Sequence, residues 1–481
     1  MGRPVQTREP SADVSDEHLI PEKRFGDLVG KSALAKQDPS AHSAQPVGRT
    51  SPRPERTGTT PGAHANTFVP REPSDLAAAG ITSAEATALV LKVLLKYGAA
   101  TGSAVATQIG LPFQMVSKLL AEMKVAQRIV YKNTAGVTDY CCELTSQGVE
   151  HARRYYEQTS YCGTAPVALD DYIASVRAQS IGDQRPTLID LQRAMGDLVV
   201  SPKVVARLAQ AVRAGRGLFL HGAPGNGKTS MAERIAQVFG QQLWIPYAVS
   251  IDGEIVKLYD PCCHEELPRD AAAGGEKVDA RWVCIRRPTV WAGGELTMDR
   301  LEVTINRQTG VCEAPLQMKS NCGTLVIDDF GRQRMDVRDL LNRWIVPLEK
   351  RFDIINLPSG QTIRMPFDQL IVFSTNLEPK SLVDEAFLRR IPYKIEVQDP
   401  TEEEFCELFR RAAVTIGIPP DSEAVRYLLD RHYRPTARPL RGCHPRDLVQ
   451  QVQHYCEVHC AVPKLTQEAL DVAVENYFSI T

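Results

Sequence analysis

Eight consecutive residues near the middle of the chain have the types and spacing needed to hold a polyphosphate. Gly222-Ala223-Pro224-Gly225-Asn226-Gly227-Lys228-Thr229 reads G-x-x-x-x-G-K-T, and Ser230 opens a helical run to Phe239. Leu218-Phe219-Leu220, just before it, reads as a buried strand. Between a strand and a helix this pattern is a phosphate-binding loop, the Walker A motif. Its glycines let backbone N–H groups turn inward around the phosphates, and the helix N-terminus adds favourable dipole charge. Lys228 would reach the β- and γ-phosphates of ATP, and the Thr229 hydroxyl would coordinate Mg²⁺. A second apolar run, Thr324-Leu325-Val326-Ile327, ends in Asp328-Asp329. There Asp328 would hold the Mg²⁺ and Asp329 would polarise an attacking water. A third, Leu370-Ile371-Val372-Phe373, ends in Ser374-Thr375-Asn376, where a polar side chain can orient that water. The helical Leu382 to Ile391 closes on Arg389-Arg390, which would compensate the helix dipole or reach an anion beyond it.

These residues need strands and helices to position them, and the pattern supplies those in order. Residues 1 to 78 carry ten of the chain's 32 prolines, with no apolar periodicity, and are expected to be a disordered tail with at most a short helix around Asp16 to Val29. Ser83 and Ser103 are the expected caps of helices Ala84 to Tyr97 and Ala104 to Ile109, and Phe113 to Ala126 is a third helix. Two β-rich pieces, Ile129 to Lys132 and Val137 to Leu144, precede Leu144-Thr145-Ser146-Gln147-Gly148 and another helix. This order over 79–160 resembles the winged-helix domains of bacterial regulators. Residues 161–186 read as a linker, and four helical segments fill the chain from Thr401 to Phe478.

The loop, the acid pair, Asn376, the Asp384-Glu385-Ala386-Phe387-Leu388-Arg389-Arg390 segment and the helical tail together resemble an AAA+ ATPase over about 187–481. That resemblance implies an α/β P-loop NTPase domain over 187–398 and a helical lid over 399–481. It implies sensor 1 at Asn376 and arginine fingers at Arg389 and Arg390 that project into a neighbouring subunit's nucleotide. Sensor 2 is implied at Arg446, with Arg441 as the fallback. Relatives mostly carry Glu where this chain has Asp329. A finer likeness runs through Gly310 to Phe330, Leu340 to Arg351 and a hairpin-like Ile355 to Met365. It points to the group with an insertion in helix 2, which holds MoxR-type chaperones, magnesium-chelatase subunits and sigma-54 activators. Leu301 to Thr304 and Val311 to Ala314 would then be the inserted hairpin that lines the ring pore in relatives. The sigma-54 Gly-Ala-Phe-Thr-Gly-Ala loop is absent, and residues 261–295 match no known element.

The implied function is an ATP-hydrolysing protein that self-associates into a ring, expected as a hexamer, and remodels a protein partner. Two other readings stand beside it: a DNA-binding transcriptional regulator assembled under nucleotide control, and a nucleotide-gated scaffold with little hydrolysis. Composition weighs on these. The 481 residues carry a net charge of −2, with 24% charged and 43% hydrophobic, which excludes a disordered or collagen-like chain and a basic nucleic-acid coat. The third helix and wing offer Lys118, Lys124, Arg128 and Lys132 as cations, few for a DNA reader. No stretch approaches the ~18–20 apolar residues of a membrane span, and Met1-Gly2-Arg3-Pro4-Val5-Gln6 is no signal peptide, so a cytoplasmic location is expected. Twelve cysteines are then expected as thiols. Cys141-Cys142, Cys262-Cys263-His264 with Cys284, and Cys456, His459 and Cys460 with His454 all lack a full ligand set at zinc spacing.

Overall fold

A computed structural model describes residues 68–134, 139–240, 242–268, 277–382 and 385–479. The expected disorder of residues 1–67, and the helix at Asp16 to Val29, lie outside the described residues. The centre is a five-stranded sheet of β1 (Leu218–His221), β2 (Thr289–Ala292), β3 (Thr324–Ile327), β4 (Leu370–Thr375) and β5 (Tyr393–Glu396). The spatial order is β2-β3-β4-β1-β5 and every pairing is parallel. Helices cover both faces of such a sheet, which is why its strands read as unbroken apolar runs. One face joins Leu218, Leu220, Val326, Val372 and Ile395 to Leu208, Val212, Met231 and Ile235 from the helices Pro202–Ala214 and Lys228–Ala236. The other joins Phe219, Leu325, Ile327, Ile371 and Phe373 to Leu340 and Trp344 of the helix Val337–Lys350.

A second sheet holds Thr304–Asn306, Val311–Glu313, Glu254–Lys257, Ala248–Ile251 and Val167–Ala168, in that order. It corrects two expectations. Residues 161–186 are no free linker: Val167–Ala168 is the edge strand of this sheet, and the helix Leu169–Ala178 buries Tyr172 and Val176. The apolar stripe of that helix is one turn long, too short to stand out as a period. The hairpin expected from Leu301 to Thr304 and Val311 to Ala314 is shifted: Thr304–Asn306 pairs with Val311–Glu313, and the latter also pairs with Glu254–Lys257. Its turn touches the N-terminal part, where the Ser160 N–H donates to the Thr309 carbonyl at 2.7 Å.

The N-terminal part contains the helices Ser83–Tyr97, Gly102–Ile109, Phe113–Val125 and Ser146–Gln158. A three-stranded antiparallel sheet runs Ala99–Thr101, Tyr140–Leu144, Ile129–Thr134. The first two caps are Thr82 and Thr101 rather than Ser83 and Ser103. Thr82 wins because Glu85, three residues on, closes a capping box that Ser83 lacks. The core of this part includes Ala248, with Ile255 and Val311 packed against it, so it is continuous with the second sheet.

Residues 68–78, expected within the tail, are ordered by contact with the unassigned 261–295 stretch. Phe68 packs on Trp282 with ring centroids 5.6 Å apart, Arg71 bridges Val278, and the Asp279 N–H donates to the Pro70 carbonyl at 3.0 Å. At the centre lies a buried ion pair. Arg281 and Asp279, both 3% exposed, meet at 2.8 Å, and Arg281 Nη1 donates to the carbonyls of Ala79 at 2.6 Å and Pro166 at 3.2 Å. One guanidinium thus joins three distant segments. Further on, Trp282–Arg286 pairs with Gln242–Pro246, and β2 follows.

The C-terminal region, expected as the lid, contains the helices Glu402–Ile416, Ser422–Leu428, His444–Val458 and Gln467–Phe478. His444 is 7% exposed; its Nδ1 is 3.0 Å from the Tyr433 hydroxyl and its ring lies edge-on to Phe478. Among the described residues no three metal-ligating side chains converge, and no helix is long and apolar enough to cross a membrane.

Two predictions concern this framework. Asp279→Ala strands the Arg281 charge in the interior and is expected to cost ~3–5 kcal/mol in chemical denaturation, whereas Glu72→Ala, which removes an exposed partner of Lys277, stays within ~0.5 kcal/mol. Burial, reinforced by the positive charges of Arg441 and Arg438, pushes the His444 imidazole down to about 4. The unfolded chain takes up this proton near ~6.5 and the fold does not, so stability falls as pH drops from there toward the folded value. Denaturation midpoints measured across that window are expected to fall less in His444→Gln than in the natural chain.

Candidate functional site

Parallel strands all point one way, so the ends of β1, β3 and β4 collect at one edge of the sheet. From β1 the chain enters the loop 222–227. Gly222 has φ +135°, and a Cβ there would come within 2.3 Å of the Val397 carbonyl oxygen. Gly225 has φ +81°, and a Cβ there would meet Cys443 Sγ at 2.4 Å. The loop is therefore pressed between β5 and the lid, and side chains are excluded at both positions. Ala223, Pro224 and Gly227 complete the turn, Lys228 and Thr229 begin the helix Lys228–Ala236, and Ser230 lies in its first turn.

Lys228 is 7% exposed, and its ammonium donates to the carbonyls of Gly222 and Ala223, each at 2.9 Å. Its third bond, 2.7 Å, goes to Asn376 Oδ1. Burial is the main force lowering the Lys228 pKa; Asp328 and Asp329 oppose it and Arg441 adds to it. The Asn376 amide donates in turn to Asp329 Oδ1 at 3.3 Å, so one side chain from β4 spans the lysine and the second acid. The Thr229 hydroxyl donates to Asp328 Oδ2 at 3.2 Å. A hydroxyl and a carboxylate facing each other at the loop fit a hard divalent cation such as Mg²⁺, which retains waters and phosphate oxygens as its other ligands.

The acid turn is held by more than its strand. Asp329 adopts φ +46°, a left-handed conformation that Asp tolerates better than most residues. Its N–H donates to Asp328 Oδ1 at 3.0 Å, and Gln333 Nε2 donates to the carbonyls of Asp328 and Asp329 at 3.0 and 3.1 Å. The Phe330 N–H donates to the Ser374 carbonyl at 2.8 Å, and the Thr375 hydroxyl donates to the Phe330 carbonyl at 2.8 Å. Gln333 carries no motif and was invisible in the sequence.

The expected arginines divide. Arg389 is 82% exposed, with Glu385 4.0 Å away, and projects from the surface. Arg390 turns back to Glu349 at 3.5 Å. Of the two arginines expected for sensor 2, the Arg446 side chain is 75% exposed and pairs with its neighbour Asp447 at 3.1 Å. Arg441, the fallback, is the one at the loop, with its Cβ 3.9 Å from where a Gly225 Cβ would stand. Arg446 follows Pro445 in the first turn of its helix, with its side chain turned outward; Arg441 precedes that helix. Sequence reasoning also missed Asp399, which pairs with Arg441 and accepts from Asn226 Nδ2 at 2.7 Å. Its place before Pro400 and the Thr401 cap was the available signal.

Residues 401–476, most of the lid, match the family described as Domain of unknown function (DUF8689). No curated protein matches the chain. Among solved structures, the Thermotoga maritima RuvB Holliday junction branch migration motor is 16% identical, with 58% of this chain and 70% of that one covered at a TM-score of 0.33. NtrX from Brucella abortus in complex with ATP is 17% identical, with 60% of each chain covered at a TM-score of 0.37. Likenesses of that size carry no argument, and the P-loop α/β fold rests on the strand order and the loop of this chain.

Proposed function

We propose that the protein is an ATPase of the AAA+ type that works as a ring and remodels a protein partner. The observation that carries this reading is the Asn376 bridge, 2.7 Å from Lys228 on one side and 3.3 Å from Asp329 on the other, beside the Thr229–Asp328 pair. Loop N–H groups and Lys228 would bind the phosphates. Asn376 and Asp329 would orient a water and draw off its proton as it attacks the γ-phosphorus. Mg²⁺, held through Thr229 and Asp328, would offset charge on the phosphate oxygens. Arg389, projecting from the surface, suits a finger that completes the site of an adjacent subunit; Arg390 would first have to leave Glu349.

The N-terminal part fits a winged-helix module used for protein contact. Two of its candidate phosphate-binding cations are already engaged, Lys124 over the Tyr131 ring at 4.2 Å and Lys132 with Glu143. A duplex-binding face would need several such cations free on one side.

Steady-state turnover of Mg-ATP by the full chain tests the reading. Lys228→Ala is expected to lower it by ~10²-fold or more. Mixing in Arg389→Ala/Arg390→Ala subunits is expected to depress the specific activity of natural subunits more than dilution does. Activity proportional to the natural subunits alone would reject catalysis across an interface.

A further inference from the structure

Asp399 stands where the chain leaves β5, two residues before the Thr401 cap of the first lid helix. Its Oδ1 accepts from Asn226 Nδ2 at 2.7 Å, and the same carboxylate is ion-paired with Arg441. Asn226, 8% exposed, uses its other amide atom as well: its Oδ1 accepts from the Gly442 N–H at 3.0 Å. One side chain of the phosphate loop is thus gripped by two lid segments more than forty residues apart in sequence. The two segments are joined to each other through Arg441 and Asp399.

Charge gives this contact a direction. Lys228 and Arg441 are the cations at the loop, close enough that Arg441 lowers the pKa of Lys228. Lys228 is satisfied by loop carbonyls and Asn376; Arg441 is satisfied by Asp399, whose side chain is 39% exposed. A polyphosphate on the loop would bring several negative charges beside Arg441. A guanidinium pairs bidentately with phosphate oxygens, whereas a partly exposed pair with a carboxylate holds it only weakly.

We propose that Asp399 is a positioning residue that competes with the nucleotide's phosphates for Arg441, while Asn226 ties the lid to the loop so that this exchange of partners is transmitted to the lid. The inference rests on the ATP-binding reading for its ligand, but the Asn226 tie stands without it.

Two variants of the full chain separate the parts. Asp399→Asn keeps an acceptor oxygen for Asn226 and removes the charge that holds Arg441. Titration with a fluorescent N-methylanthraniloyl ATP is expected to give a Kd about fivefold lower, in line with the ~1 kcal/mol of a partly exposed ion pair. The gain is expected to vanish when Arg441→Ala is combined with it, which a merely structural role of Asp399 would not produce. Asp399→Ser gives the same comparison should the Asn variant fold poorly. Unchanged or weaker binding in Asp399→Asn, or an equal gain with Arg441 absent, overturns the competition. In Asn226→Ala, hydrogen exchange of the peptide containing Gly442, measured without nucleotide, is expected to rise by about tenfold or more. Unchanged protection overturns the tie. If the natural chain binds no ATP analogue, the ATP reading fails, and Gly442 exchange still decides the tie.

Discussion

Everything at the site depends on β4 lying between β1 and β3 in one parallel register. Alternate residues of β4 belong to different cores: Leu370 and Val372 pack with Met231 and Ile235 on one face, Ile371 and Phe373 with Leu340 and Trp344 on the other. A slip of one residue would exchange these two sets, so packing specifies the register strongly. The same register delivers Asn376 between Lys228 and Asp329. The height of each strand end is therefore fixed by apolar packing below it, and the polar bonds of the acid turn refine positions already set. The aromatic cluster of Phe219, Phe330 and Phe373, with centroids 4.9 to 5.8 Å apart, couples the two levels, because Phe330 directly follows the acid pair.

A second constraint joins the N-terminal part to the rest of the framework. The 277–282 segment threads between residues 68–81 and the 165–168 stretch, and Arg281 bonds to both. Gly110, at the end of the second helix, approaches so near that a Cβ there would lie 3.2 Å from the Ala280 backbone. The second sheet adds its own contact through Thr309 and Ser160. An N-terminal module held at this many points by buried groups cannot swing as a tethered adaptor. A partner engaged there would load the inserted sheet and, through Asp260 and His264 on Lys319, the helix that precedes β3.

The parts legible in the sequence were those whose signal is local. The loop pattern, the apolar runs of β1, β3 and β4 and the four lid helices each lie within a dozen residues or so and carry their own periodicity or caps. The illegible parts needed distant partners. Residues 68–78 mix apolar, charged and proline residues without a period, and they are ordered by Trp282 and Lys277 rather than by any pattern of their own. Val167–Ala168 is a two-residue strand that exists because Val249 and Ser250 lie beside it. Asp399 and Arg441 became site residues when the lid folded onto the loop, which no spacing along the chain could reveal. Arg446 was the better match to a pattern, but it lies in the helix with its side chain exposed, whereas Arg441, before the helix, lies at the loop.

Asp329 shows how backbone conformation constrains a side chain at the loop. The residue must turn left-handed so that the Phe330 N–H can reach the Ser374 carbonyl and Gln333 can bridge two successive carbonyls. Asn, Asp and His are several-fold enriched in that region among residues other than glycine, so Asp is a residue the turn accepts readily. Asn376, just past the neighbouring strand, donates to this carboxylate at 3.3 Å and accepts from Lys228 at 2.7 Å, so the position of the acid is set by the strand beside it as well as by its own turn.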